Sequence, residues 1–258
     1  MSVFLDAGAL SLAVSGGLWQ QVEVVESTGS TNADLGVRAR EGAPPGVVLA
    51  SGHQSSGRGR LARSWEAPPN TSIACSVLVA PTRPLAEWGW LPLLVGMAVT
   101  DGVRASTGLD ARLKWPNDVL VRDRKLCGIL CESVGDADAP RAILGFGLNV
   151  NLRADQLPVP TATSTRLEGS DVEATAILAA VLRSLETWFV AWDEGEDVAE
   201  AYRRRCDTIG REVTVRVAGG DPVAGTAVGV DASGGIVVAT ASGERTFVAG
   251  DVEHLRPA

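Results

Sequence analysis

The segment ARLKWPNDVLVRDRKLCGILCESV, residues 111–134, decides the fold. Ala111–Lys114 and Val119–Arg122 read as short strands, and Trp115-Pro116-Asn117-Asp118 as the turn between them. Pro116 stiffens that turn, while Asn117 and Asp118 are residue types that bond their own backbone in turns. Leu126–Val134 is a third strand, with Gly128 inside it. A glycine within a strand marks a place where a ligand or another backbone comes close.

Downstream, Ala142–Leu152 reads as a further strand, and Asp171–Trp192 and Asp197–Cys206 as helices. After Thr208 the pattern changes. Val213, Val215 and Val217 alternate with polar residues, and turn signals at Gly219-Gly220-Asp221, Asp231–Gly235 and Ser242-Gly243 separate β-runs at Val223–Val230, Ile236–Ala241 and Arg245–Ala249. Short strands at regular spacing predict a small β-barrel appended to an α/β domain. Upstream, Val22–Glu26 and Val47–Ser51 are short strands on either side of a helix, Asn32–Arg40. Gly52–Asn70 has no apolar period, and a loop of that length in a compact domain is usually functional. Thr71–Val79 is a half-buried strand, and Leu85–Ser106 a long helix in which Pro92 marks a first turn or a kink. The expected division is a short extension at 1–21, a catalytic domain at 22–207 and the barrel at 208–258.

Composition narrows the function classes. The chain has 258 residues, 45% hydrophobic and 21% charged, with net charge −8. A general DNA-coating role draws on clustered Lys and Arg and is disfavoured by that acidity. Four cysteines at 75, 127, 131 and 206 form no C-x-x-C pair, and His53 and His254 are the only histidines. That is too sparse for a zinc site and unlike a secreted disulfide framework, so no protein-held metal is expected. No signal peptide and no run near the ~18 apolar residues of a membrane span are read, which predicts a cytoplasmic protein.

Only two of the 23 basic residues are lysine, Lys114 and Lys125, eleven positions apart. An arginine-favouring genome explains the depletion but not the proximity of the survivors. An ammonium is a compact charge on a thin stem, whereas a guanidinium is a planar fork, so these are places that the fork does not serve. Lys114 opens the Trp115–Asp118 turn; a plain hairpin accounts for Pro, Asn and Asp but not for a retained lysine. Lys125 leads into the strand with Gly128. A second constellation, Gly57-Arg58-Gly59-Arg60-Leu61-Ala62-Arg63-Ser64-Trp65, packs three arginines into six residues. Guanidinium forks match phosphate and carboxylate oxygens, and the glycines let the backbone approach a ligand. A solvated basic loop or an RG-type nucleic-acid segment has the same composition. In Gly145-Phe146-Gly147-Leu148-Asn149 the two glycines share a strand face and leave room for a planar group. No Walker-type phosphate loop and no G-x-S-x-G elbow occurs, so ATP use would not be of the P-loop kind.

In this order and spacing, Ser30-Thr31-Asn32, Gly57–Trp65, Lys114–Asp118, Arg124–Leu130 and Gly145–Asn149 resemble the biotin protein ligases (holocarboxylase synthetases), across about residues 22–258. The resemblance implies an α/β (α+β) catalytic domain with a central mixed sheet and flanking helices, then an SH3-like barrel. It also implies a form without the N-terminal DNA-reading domain. The implied reaction makes biotinyl-5′-AMP from biotin and ATP with Mg²⁺, then passes biotin to a lysine of a biotin carboxyl carrier domain of a carboxylase. Neither DNA nor a membrane is an expected partner. Lys125, Arg60 and Lys114 are the implied catalytic residues. Biotin is assigned to Ser30, Thr31, Asn32, Gln54, Arg58, Gly59, Arg60, Lys125 and Gly128. ATP is assigned to Arg60, Arg63, Trp65, Lys114, Asn117, Asp118 and Asn149. Ala62 stands where the family often has glycine, Leu61 where it has a basic or polar residue, and Cys127 where alanine is usual. The alternatives are a lipoate or octanoate ligase of the same fold and, in another class, a biotin-sensing repressor or an RG-type nucleic-acid module.

Overall fold

In the computed structural model, which describes residues 4–135, 139–217 and 219–254, the chain runs α1 (Ala7–Ala13), β1 (Gln21–Val25), α2 (Thr31–Arg40), β2 (Val47–Ser51), β3 (Ser72–Val79), α3 (Leu91–Thr107), β4 (Ala111–Lys114), β5 (Asp118–Val121), β6 (Arg124–Val134) and β7 (Arg141–Asn149). Helices α4 (Ala174–Asp193) and α5 (Ala199–Arg205) follow, then β8 (Glu212–Arg216), β9 (Val223–Val230), β10 (Ile236–Thr240), β11 (Gly243–Phe247) and β12 (Asp251–His254). The first seven strands form one mixed sheet in the order β1-β2-β3-β7-β6-β5-β4. Strands β1 and β2 are parallel and the other ladders antiparallel.

The expected elements shift where a special backbone intervenes. Strand β6 begins at Arg124, not Leu126, because Arg122 and Asp123 both have positive φ, 50° and 59°, and close a two-residue hairpin with β5. Arginine rarely takes that conformation, so the turn carries no residue signature. The helix expected from Leu85 divides into a 3₁₀ segment, Leu85–Trp90, and α3. Proline lacks an N–H and fits only a first turn, which is where Pro92 lies; Gly108, at φ 74°, ends the helix. Strand β7 stops at Asn149, three residues before the expected end.

Helix α4 is twenty residues long and apolar enough by length and composition alone to cross a bilayer, although Arg183 and Glu186 interrupt its apolar run. Its Ile177, Leu178, Val181, Leu182, Leu185, Phe189 and Trp192 are buried, and it packs along α3. A Cβ on Gly102 of α3 would lie 2.6 Å from the Val181 backbone, so the absent side chain sets how close the helices lie. Residues 4–20, expected as a mere extension, join this core. Leu5, Leu10, Val14 and Trp19 are buried, and Trp19 Nε1 donates to the Leu182 carbonyl at 2.9 Å.

The expected barrel is a five-stranded antiparallel sheet in the order β11-β10-β9-β8-β12. Its last strand, β12, has no turn marker or apolar run in sequence; it pairs with β8, Val252 opposite Val215. The buried face of this sheet, including Val213, Ile236, Val238 and Phe247, is continuous with the main core. Trp90 Nε1 donates to the Ala232 carbonyl and Trp115 Nε1 to that of Gly234, each at 3.1 Å. The small sheet is thereby seated on the turn that opens the functional cleft.

Candidate functional site

Residues from the start of α2, the Gly57–Trp65 loop, the β4–β5 turn, β6, β7 and β12 meet around one cleft of about 380 Å³. That volume lies within the range of small-molecule sites. Every residue assigned from sequence lines it except Asn149.

At one end Ser30 caps α2, its side chain accepting from the Ala33 N–H at 3.4 Å. Gln54 Oε1 accepts from the Thr31 N–H at 2.8 Å and the Thr31 hydroxyl at 3.2 Å. Its amide oxygen being committed, Gln54 has Nε2 to offer a ligand carbonyl. Both polar atoms of Asn32 have partners within the protein. Its Oδ1 accepts from Ser76 at 2.6 Å, and its Nδ2 donates to the Leu130 carbonyl at 3.0 Å and to Glu132 at 2.7 Å. Asn32 therefore ties the Ser30–Thr31 turn to β3 and β6 from within.

The Gly57–Trp65 loop is a small hairpin. Trp65 N–H donates to the Gly57 carbonyl at 2.9 Å and Gly59 N–H to that of Arg63 at 2.7 Å. Leu61 and Ala62 sit at its tip with φ of 54° and 58°, which gives a physical reason for glycine in this loop. Arg58 pairs with Glu132 at 2.9 Å. Arg60 donates to Asn117 Oδ1 at 3.2 Å and to the Gly250 carbonyl at 3.3 Å, and Arg63 pairs with Asp251. Burial lowers the Arg60 pKa from the ordinary arginine value, Asp251 and Asp118 oppose that, and Arg63 adds to it.

The space left by the β-strand glycines is filled by the protein itself. A Cβ on Gly147 would lie 2.4 Å from the Trp65 indole and one on Gly128 2.8 Å from it, while one on Gly145 would lie 2.0 Å from Asn32 Oδ1. The indole thus rests on the sheet as a floor, with Lys125 Nζ 5.7 Å from its ring centre. Lys125 Nζ also lies 2.7 Å from Asp118 Oδ1. The contact is close but outside hydrogen-bonding angles, so that buried oxygen has no directed donor among the described residues. Asn117 is fixed by Nδ2 donating to the Ile129 carbonyl at 2.9 Å. Lys114 has no ion-pair partner among the described residues, and no cluster of three His, Cys, Asp or Glu there could hold a metal alone.

Asn149 is buried behind the cleft. Its Oδ1 accepts from Ser72 at 2.9 Å and its Nδ2 donates to the Thr163 carbonyl at 3.0 Å. Residues that sequence reasoning passed over are Ser76 and Glu132, which hold Asn32, and Asp251, Val252 and Glu253, which form the wall supplied by the small sheet. The first two had a faint signal, a polar side chain inside an apolar strand; the β12 residues had none.

His254 sits behind the β4–β5 turn. Thr208 accepts from the Trp115 N–H at 3.0 Å, and its hydroxyl lies within hydrogen-bond distance of His254 Nε2, 2.9 Å away, the donor being set by the ring's tautomer. Burial, then Lys114 and Arg211, push His254 down to about 4, against the milder opposing pull of Asp207 and Asp123. The sign follows from linkage. The unfolded chain binds a proton near 6.5 and the folded one only near 4, so the contribution is complete above 6.5 and is lost as pH falls toward 4. In urea melts from pH 7 to pH 5, wild type should lose more stability than His254→Gln. Parallel losses in the two proteins would remove His254 from that role.

Comparison with known proteins places this geometry. Residues 22–149 match the Biotin/lipoate A/B protein ligase family, and residues 208–255 the Biotin protein ligase C terminal domain. The chain is 41% identical over 250 residues to the biotin–[acetyl-CoA-carboxylase] ligase of Mycobacterium tuberculosis, covering 94% of this chain and 92% of that one. It is 28% identical over 238 residues to the bifunctional ligase/repressor BirA of Bacillus subtilis, covering 90% of this chain and 72% of that protein. Among solved structures, the Aquifex aeolicus biotin protein ligase in complex with biotin and ATP superposes with a TM-score of 0.78. It is 26% identical and covers 92% of this chain and 100% of that one.

Proposed function

This chain belongs to the biotin protein ligase family, and from that premise we propose how its cleft performs the reaction. The protein is an ATP-using ligase that activates biotin and transfers it to a carboxylase. The finer reading is that biotinyl-5′-AMP is the intermediate and a lysine of a biotin carboxyl carrier domain the acceptor. The supporting observation is that one cleft unites the Thr31–Gln54 polar end with Lys125, Arg60 and the Lys114–Asp118 turn.

Gln54 Nε2 and the Ser30–Thr31 turn bind the ureido ring, which directs the biotin carboxylate along β6 to Lys125. ATP lies with its triphosphate between Arg60, Arg63 and Lys114. Carboxylate and phosphate are both anions, and the four flanking cations lower their repulsion and stabilise charge in the in-line transition state. A carboxylate oxygen bonds to the α-phosphorus as the bond to the diphosphate oxygen breaks. The acceptor amine then bonds to the acyl carbon, loses a proton, and AMP leaves. Mg²⁺ fits this site as a cation carried by the triphosphate, since such ions need only one or two protein oxygens. Asp118, whose buried Oδ1 lacks a directed donor, and Asn117 would hold it. When bound, it supplies neutralisation of the phosphate charge. The arginine hairpin excludes water from the mixed anhydride. Four free cysteines support the cytoplasm as the compartment.

Mass spectrometry of the protein incubated with ATP, Mg²⁺ and biotin should show biotinyl-AMP, with diphosphate released in step. Diphosphate release that depends on lipoate and not on biotin would overturn the assignment of substrate. Within the cleft, Lys114→Ala should reduce kcat/KM for ATP by roughly tenfold or more and leave biotin affinity nearly intact. Calorimetry showing lost biotin binding with unchanged ATP dependence would move Lys114 to the other substrate.

A further inference from the structure

Strand β6 begins beyond the end of its neighbour: the β6–β7 ladder starts at Cys127 opposite Leu148, and Arg124, Lys125 and Leu126 extend past it. A short segment, buried at Ala162 and Thr163, takes the place of β7 beside them. Lys125 N–H donates to the Thr161 carbonyl at 2.7 Å, and Thr163 N–H donates to the Lys125 carbonyl at 2.9 Å. Both backbone groups of the lysine are therefore set by residues 161–163.

That segment is itself held by one carboxylate. Glu168 Oε1 accepts from the Thr163 hydroxyl and from Arg124 Nη2, each at 2.6 Å. The Glu168 side chain is fully buried, and its Oε2 has no hydrogen-bond donor among the described residues; the Arg122 guanidinium stands 3.7 Å away. Removing a carboxylate from water costs several kcal/mol, and apolar residues of similar volume often fill such a site as well or better. Packing alone thus gives no reason for a charge here. What the charge does is fix Arg124, the residue before Lys125, together with the strand-like segment on the other side of Lys125.

We propose that Glu168 is a positioning residue for Lys125: through Arg124 and Thr163 it holds the start of β6 so that the ammonium is aimed at the reacting carboxylate and phosphate. This rests on the reading of Lys125 as the catalytic ammonium. Because successive strand residues point to opposite faces, a rotation at Arg124 is transmitted to the direction of Lys125. Misplacement by about 1 Å is enough to cost on the order of a hundredfold in rate.

The test measures the rate constant of biotinyl-AMP formation in a single turnover, per titrated active site, with melting temperature and ATP affinity alongside. Glu168→Gln and Thr163→Val should lower that rate constant by about tenfold to a hundredfold with ATP affinity unchanged. Thr163→Ser, which keeps the hydroxyl, should restore it. A structural role alone lowers the melting temperature and the fraction of active sites but not the rate constant of each site. If Glu168→Gln does not fold, the Thr163→Val and Thr163→Ser pair decides. Lys125→Met separates the two levels. If it is inactive while the folded Glu168 and Thr163 variants keep the wild-type rate constant, the positioning role is overturned. If Lys125→Met itself keeps the wild-type rate, the reading of Lys125 falls and the proposal with it.

Discussion

Lys125→Arg is expected to slow adenylation by about a hundred- to a thousandfold, although the charge is kept. The reason lies in what surrounds the ammonium. Lys125 Nζ lies 2.7 Å from Asp118 in a contact without hydrogen-bond geometry, and 5.7 Å from the centre of the Trp65 ring. A compact ammonium in such a contact turns readily from Asp118 to an arriving carboxylate and phosphate. A guanidinium would form a bidentate pair with Asp118, a stronger and directional bond. It would keep the carboxylate that the triphosphate's cation needs. The planar fork is also wider than an ammonium, and the lysine stem already lies 3.3 Å from where a Gly128 Cβ would be. Single-turnover formation of biotinyl-AMP measures the effect, with melting temperature as the control for folding. A folded Lys125→Arg protein working at the wild-type rate would remove the role given to this lysine.

The reading from sequence succeeded where information was local. Strand periodicity located the β-runs of both sheets, and residue types located the arginine loop and both lysines, nearly all of which line one cleft. It failed where partners are far apart in the chain. Arg63 and Asp251 are separated by 188 positions, and nothing in the DVEH tetrad marks it as a strand that walls a cleft formed elsewhere. Glycines were legible as places of close approach, but not what approaches. Gly147 makes room for Trp65 and Gly145 for Asn32, both from the protein. Asparagines show a related limit. Asn32 and Asn149 belong to motifs of the site, and in both the amide oxygen and nitrogen already have partners in the scaffold. An amide's chemistry is visible in sequence; whether its hydrogen bonds are still free is a property of the fold.

Arg60→Ala should turn the protein into a source of free biotinyl-AMP. The hairpin has three arginine anchors. Arg58–Glu132 and Arg63–Asp251 are solvent-accessible ion pairs, with the arginines 47% and 65% exposed, and pairs of that kind contribute little. Arg60, partly buried, instead bonds to Asn117 and to the Gly250 carbonyl, joining the loop to the β4–β5 turn and to the small sheet. The tip beside it holds Leu61 and Ala62 at positive φ, a conformation that persists only while neighbouring contacts enforce it. Without Arg60 that strain is released by opening, and the mixed anhydride escapes to react with any amine it meets. Most enzymes would then label themselves heavily. Here, apart from the α-amine, the only amines on the chain are Lys114 and Lys125, and both lie inside the cleft. The expected result of incubating Arg60→Ala with ATP, Mg²⁺, biotin and a lysine-rich bystander protein is heavy biotin labelling of the bystander and little of the ligase. A bystander that stays unlabelled while biotinyl-AMP is still being formed would show that Arg60 is not what keeps the hairpin closed.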